Sequence, residues 1–193
     1  MEIKNSKNML RNGLTITIFT LSALVGFALL LISVWGDVEA FMFDLSNKGE
    51  ESLGTLVCPV IITPQDTGEF SIKLENPLER DIMTAVRVHI SSGFVSLMTE
   101  DNVKVDLAPK ESKKLAWSVN PEDAAYGKMV LVKVFLFRNY PIPSKDATCG
   151  IFVVDTPHFS GRQILFSSLG FSFIGMVAAT GMWKVNNRLM TGS

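Results

Sequence analysis

Histidine, cysteine and tyrosine occur only twice each among the 193 residues, and these shortages exclude most familiar chemistry. A hydrolytic triad needs a nucleophile, a base and an orienting acid brought together. His89 and His158 are the only imidazoles, and neither stands in a nucleophile motif. A phosphate-binding glycine loop, a dinucleotide fingerprint, zinc-ligand spacing and an Asn-x-Ser/Thr sequon are missing as well. The one metal hypothesis joins His89 and His158 to Cys149, because blue-copper sites use two His and a Cys with a weak axial Met. Such sites draw the Cys and second His from one short loop. Here nine positions and the strand-like "IFVVD" separate Cys149 from His158, and no Met follows before the next apolar run. No metal, cofactor or catalytic residue is expected, and the chain reads as a non-enzyme.

Charge is absent from two long stretches. Leu14 to Trp35 runs 22 residues without an ionisable side chain, and a second run reaches from Gln163 or Ile164 to Trp183. A bilayer core of roughly 30 Å takes about 20 apolar residues, so each is long enough to cross. Each ends in Trp, which prefers the headgroup level. Neither contains the Asp, Glu, Lys, Arg or His that marks ion paths in membranes, so a transporter is not expected. Lys4, Lys7 and Arg11 precede the first run, and Lys184 and Arg188 follow the second. The positive-inside rule therefore puts both termini in the cytoplasm. Between the runs, residues 37–161 hold 18 acids and 12 bases, a balance of −6. The lysines at 110, 113 and 114 lie within that acidic segment, which leaves no footprint for nucleic acid. Acid pairs such as Glu50-Glu51, Glu100-Asp101 and Glu122-Asp123 read as solvated turn residues.

The expected organisation is a cytoplasmic tail over 1–13, a first span over 14–35 and an extracytoplasmic domain over 36–162. A second span over 163–183 and a tail over 184–193 complete it, in the plasma membrane. A basic start before an apolar run also describes a secretory signal, with Val38-Glu39-Ala40 as a cleavage site. The 22-residue run exceeds the 7–15 apolar residues of a signal core, so an uncleaved anchor is expected.

The second run is poor in large residues. In "FSSLGFSFIGMVAATGMW", nine of 18 residues are Ser, Gly, Ala or Thr. Ser168, Ser172, Gly175 and Ala179 fall at i, i+4, i+7 and i+11, one helical stripe. Thr15, Ser22, Gly26 and Ser33 form a similar stripe on the first run. Lipid offers no hydrophobic drive for helix pairing, so close approach along small residues is what association uses. Two readings follow: the stripes pack on each other, or at least one receives a foreign helix.

Between the spans the period changes to alternation. Phe70, Ile72 and Leu74 alternate with polar residues, as do Val86, Val88 and Ile90, and Leu115, Trp117 and Val119. His89 falls on the outward phase, where a solvated side chain is the ordinary outcome. "KMVLVKVFLF" suits a central strand. "TLVCPVII", "GFVSLM", "VKVDL" and "CGIFVVD" complete about eight short strands separated by Pro, Gly and Asn turns. The pattern indicates a mainly β, two-sheet antiparallel sandwich. Cys58 and Cys149 lie near its two ends, where an oxidising compartment favours a disulfide. Closing a loop as long as this one, about 90 residues, is where the chain-entropy model gives a bridge its larger stabilisation. Two independently buried thiols are the alternative.

"VDLAPKESKKLAWSVNPEDAAYGKMVLVKVFLF" resembles the second half of the Ig-like sandwich domains, of the cell-adhesion-related kind, found in many prokaryotic surface proteins. Leu107, Pro109, Glu111, Trp117, Pro121 and Tyr126-Gly127 carry the likeness. "FSIKLENPLERDIMTAVRVHI" resembles the strand-turn-strand in which an Asn begins the bend. The resemblance covers about 90 residues and implies a fold rather than a function.

Two apolar stretches suggest partner contacts outside the membrane: Phe41, Met42 and Phe43, and the Pro-stiffened loop with Tyr140, Pro141 and Ile142. Phe41 and Phe43 equally suit the start of a strand. The leading expectation is a non-catalytic accessory subunit whose helices dock into other integral membrane subunits in the bilayer. A free-standing membrane-anchored adhesion or ligand-binding module is the alternative. No small-molecule substrate is expected.

Overall fold

A computed structural model of the chain describes residues 2–46, 48–138 and 141–188. It divides into two compact units, one of residues 1–31 with 163–193 and one of residues 32–162. Two long helices dominate the first unit. Helix α1 spans Glu2–Phe43 and helix α2 spans Gly161–Arg188. Both are long and apolar enough to cross a membrane, over Arg11–Phe43 and Gly161–Val185. Leucine, phenylalanine and tryptophan cover their outer surfaces, with Phe27 at 58%, Leu30 at 65% and Phe173 at 69% exposure. Side chains of that kind facing outward suit lipid rather than water.

The second unit is a sandwich. Strands β1 (Glu51–Ser52), β2 (Ile61–Ile62), β4 (Ile82–Ser92), β5 (Phe94–Leu107), β7 (Met129–Phe137) and β8 (Lys145–Val153) form one sheet, ordered β1-β8-β7-β4-β5 with β2 also on β8. Strands β3 (Gly68–Glu75) and β6 (Ser112–Val119) form the other. The alternation expected from sequence sets which faces meet. Phe70, Ile72 and Leu74 of β3 are fully buried with Val86 and Val88 of β4 and Val130, Val132 and Val134 of β7, in one cluster. Phe70 also stacks on Trp117 across the β3–β6 pair, with centroids 5.5 Å apart. Asn76 begins the bend after β3, fully buried. Its amide donates to the carbonyls of Arg80, Leu107 and Ala108, while its oxygen accepts from the Leu78 N–H. Such side-chain bonds to nearby backbone satisfy a bend that has no ladder of its own.

Three expectations are corrected. The sandwich is not wholly antiparallel, because β1 and β2 both pair with β8 in parallel. "GFVSLM" and "VKVDL" are one continuous strand, β5, at a sheet edge, where Glu100 and Asp101 suit an exposed strand because charged residues there deter further pairing. "TLVCPVII" is not one strand: only its last two residues pair with β8, and Val57 crosses to bridge Ser71 of β3.

Helix α1 also outruns its expected end at Trp35 by eight residues. A helix of 33 residues from Arg11 measures about 50 Å, more than the roughly 30 Å of hydrocarbon it would cross. Within the second unit the surplus has a use. Gly36, Ala40 and Phe43 fall at i, i+4 and i+7 and are all buried. Ala40 and Phe43 join Met129, Leu131 and Phe152 in a second apolar cluster, on the outer face of the large sheet. Phe43 thus ends a helix and does not start a strand.

Candidate functional site

In the helical unit the two small-residue stripes face one another. Ser172 is buried, and its hydroxyl donates to the carbonyl of Ser22 at 2.9 Å. A Cβ on Gly26 would lie 2.6 Å from Ser172 Oγ, and one on Gly175 would lie 2.9 Å from Ser22 Cβ. Gly175 is therefore required by close approach, and a side chain on Gly26 would displace the Ser172 hydroxyl from its bond, the packing that small residues allow in lipid. Thr15 and Ala179 are buried, and Ser168 is half-buried. Ser33 departs from the pattern. It belongs to the sandwich unit, where it lines a cleft.

In the sandwich unit, Asp44 closes helix α1 onto the sheet. His89 Nδ1 lies 2.8 Å from Asp44 Oδ2, with both side chains under 8% exposed. The carboxylate accepts there and also accepts from the backbone and hydroxyl of Ser46. Lys133, paired across the sheet with His89, donates its ammonium to the Asp44 carbonyl. Asp146 is 3.9 Å from the same ammonium. A carbonyl at a helix C-terminus is an orphan acceptor in the negative half of the dipole, so a lysine there satisfies both the bond and the charge. The solvated His89 expected from alternation is corrected: it points outward from the sandwich core, but the end of α1 covers it. On its far side Nε2 is 3.5 Å from Glu100 of β5. The Asn102 amide, donating to Glu100 Oε1 at 2.6 Å, holds the Glu100 carboxyl below its ordinary range; slight desolvation opposes this, and Arg87 and His89 reinforce it.

The start of α2 is fastened in a comparable way. Asp66 Oδ2 accepts from the Gly161 N–H at 2.6 Å and from the Thr63 hydroxyl at 3.0 Å. A carboxylate at a helix N-terminus meets orphan donors and the positive end of the dipole. A Cβ on Gly161 would lie 2.8 Å from Ile62 Cα, so glycine is needed for the approach.

Cys58 and Cys149 are bridged, with Cα atoms 6.6 Å apart. Cys149 is therefore committed to sulfur and His89 to Asp44, which removes two of the three ligands of the copper hypothesis. Beside the disulfide lies a cleft of about 710 Å³ between the last turns of α1, the β1–β2 segment and the edge of β8. Phe41 lines it and is 53% exposed, Met42 is exposed and Phe43 is buried. Pro141 is exposed and Ile142 half-buried, away from this cleft; Tyr140 lies outside the described residues. Sequence reasoning missed Asp44, Asp66, Lys133 and Thr148. Little local marks them: the contacts that give Asp44, Asp66 and Lys133 their places, with His89, Gly161 and the Asp44 carbonyl, join positions 45 to 95 apart, and Thr148 matters through its backbone.

No protein-family model matches the chain, and no curated protein matches it. Among solved structures it is similar to the CARDB domain of the PF1109 protein from Pyrococcus furiosus, crystallised in complex with di-metal ions. That similarity has 20% identity, a TM-score of 0.40, and covers 52% of this chain and 90% of that one. The solution structure of the same domain matches at 20% identity and a TM-score of 0.38, over 51% and 90%. Bacteroides uniformis beta-glucuronidase 2 matches at 9% identity and a TM-score of 0.38, over 50% of this chain and 12% of that one.

Proposed function

We propose that the chain is a non-catalytic membrane protein that crosses the bilayer twice and displays an Ig-like sandwich on the extracytoplasmic side for recognition of other proteins. The observation that carries this reading is the facing of the two stripes. Ser22, Gly26, Ser172 and Gly175 are turned toward one another while large apolar side chains point away. Such a pair hides its polar atoms and offers lipid an apolar surface, which is what a self-sufficient anchor needs. Basic residues flanking both spans support cytoplasmic termini, and the disulfide supports an oxidising compartment for residues 36–162. Gly36 and Ala40 are packed into the sandwich unit, so cleavage after Ala40 would remove Ala40 from its outer cluster and uncover Gly150, which favours an uncleaved anchor.

The stripes' mutual packing supports recognition by the sandwich over recognition by the helices. A second reading, an accessory subunit docked by its spans into a larger membrane assembly, keeps one supporting observation. An apolar groove of about 310 Å³ opens in the helical unit among Thr15, Ile16, Phe19, Ala179, Thr180 and Trp183. Alkaline carbonate extraction of native membranes, followed by intact-mass measurement, tests the main proposal. The full-length chain should stay with the membrane. Release by carbonate, or a mature form beginning at Phe41, would overturn it.

A further inference from the structure

The chain leaves part of one strand edge unpaired. Val130, Val132 and Val134 of β7 stand opposite Ile151, Cys149 and Ala147 of β8. The even-numbered residues of β8 present their backbone to the other side: Leu53 N–H donates to the Asp146 carbonyl, and Phe152 N–H donates to the Val60 carbonyl. In parallel pairing, β1 takes β8 at Lys145 and Asp146, and β2 takes it at Phe152 and Val153. Between them the covering segment departs, Val57 crossing to Ser71 of the other sheet. Thr148 and Gly150 therefore carry N–H and carbonyl groups toward an edge where no hydrogen-bond partner for them is found among the described residues. Both are half-buried and line the cleft of about 710 Å³ beside the disulfide.

The two edges of this sheet are treated differently. Strand β5 carries Glu100, Asp101 and Lys104 along its exposed length, a charged edge that resists another strand. The open stretch of β8, Ala147 to Ile151, carries no charge. A half-buried backbone donor or acceptor without a partner is costly to leave dry, and an extended segment laid along it supplies the missing bonds. The chain already uses β8 in this way twice, at β1 and at β2. The walls of the cleft specify the visitor's charge. Asp37, Glu50, Glu51, Asp146 and Lys48 line it, and with Lys145 and Lys133, which pair with two of the acids, four negative groups stand against three positive, a balance of −1. Lys145 holds Glu51 at 2.7 Å, and Lys133 is 3.9 Å from Asp146. Asp37 and Glu50 have no ion pair among the described residues.

We propose that the gap in β8 between Asp146 and Phe152 is a docking site for an extended, basic peptide segment of another protein, which adds as a short strand bonded to Thr148 and Gly150 with its cationic side chains toward Asp37 and Glu50. This rests on the reading of the sandwich as the recognition part. At about 3.3 Å per residue the five-residue gap spans about 17 Å, enough for one short strand.

The test uses the full chain in detergent micelles and a fluorescent, end-capped peptide alternating Lys and Val over seven residues. Binding should be saturable by polarisation and should slow amide exchange at Thr148 and Gly150 at least tenfold. Alternate N-methylation of the peptide backbone, which removes its donors, should abolish binding, as should replacing its Lys by Glu. Thr148→Pro removes one edge donor at a position where an edge strand tolerates proline; it should weaken binding at least tenfold. Asp37→Asn with Glu50→Gln keeps the backbone and should do the same if the proline variant fails to fold. Binding that survives N-methylation, or that leaves Thr148 and Gly150 unprotected, would overturn the proposal in favour of plain charge attraction. Concentration-dependent self-association that protects these amides without peptide would overturn it in favour of a second copy. None of these outcomes bears on membrane topology, which carbonate extraction reads separately.

Discussion

Asp44 and His89, 45 positions apart in the chain, meet at 2.8 Å beneath the end of the first helix, and neither side chain is more than 7% exposed. The contact joins a helix C-terminus to the outer face of a sheet. Asp44→Ala leaves the imidazole of His89 without its carboxylate partner, while the backbone carbonyl that accepts from Lys133 stays. Truncating one partner of a buried charged hydrogen bond costs about 2 to 4 kcal/mol. Urea unfolding of the full chain in detergent should show that loss, and His89→Ala a similar one. The double variant should lose less than the sum, because both single changes break the same bond.

Glycine at 150 is required by geometry. A Cβ there would lie 2.6 Å from Gly36 Cα, backbone against backbone with no flexible end to yield. Gly150→Ala should therefore destabilise the sandwich unit by about 2 kcal/mol through overpacking, measurable as a lower urea midpoint with an unchanged slope. Gly54→Ala, where nothing lies within 4 Å of the added carbon, is the control and should change little.

Removing the disulfide as Cys58→Ser with Cys149→Ser should cost about 4.5 kcal/mol by the chain-entropy argument, since the bridge closes a loop spanning 91 positions. The same loss should follow reduction of the native protein by dithiothreitol. Thermal unfolding with and without reductant makes the comparison within one sample.

Glu100 gives a pH dependence with a definite sign. Its folded pKa is lowered, chiefly by the Asn102 hydrogen bond. Its contribution to stability is thus present above the unfolded value of about 4.3 and is lost as pH falls through the folded value. Carboxyl carbon-13 titration should place Glu100 below an ordinary glutamate, and Asn102→Ala should raise it. A Glu100 titration unmoved by that change would contradict the assignment.

Gly175→Leu forces a side chain into the position held by Ser22. The helices should separate by several ångströms, read by spin-label distances between residues placed on each. The sandwich core, which shares none of these contacts, should keep its unfolding midpoint.

What could be read in the sequence was what repeats locally. The charge-free runs, the small-residue stripes, the alternation of β3, β4 and β6 and the continuous apolar run of β7 are each contained in a short window. The continuation of α1 beyond Trp35 was hidden because Asp37 and Glu39 end the apolar run, although Gly36, Ala40 and Phe43 keep one face small and apolar. His89 was misread for a related reason. Alternation says which side of a sheet a residue is on, not whether another element covers that side. The parallel pairing of β1 and β2 with β8 joins segments about 90 positions apart, and two-residue strands carry no pattern of their own. Thr148 and Gly150 matter through unpaired backbone, which side-chain chemistry does not announce.

Membrane-impermeant thiol labelling of single introduced cysteines tests the two-pass arrangement most directly, because Cys58 and Cys149 are tied to each other and do not compete. In intact cells, Lys110→Cys on the sandwich should label at once, and Lys184→Cys should label only after the membrane is opened. Labelling of position 184 from outside, or a shielded position 110, would contradict it.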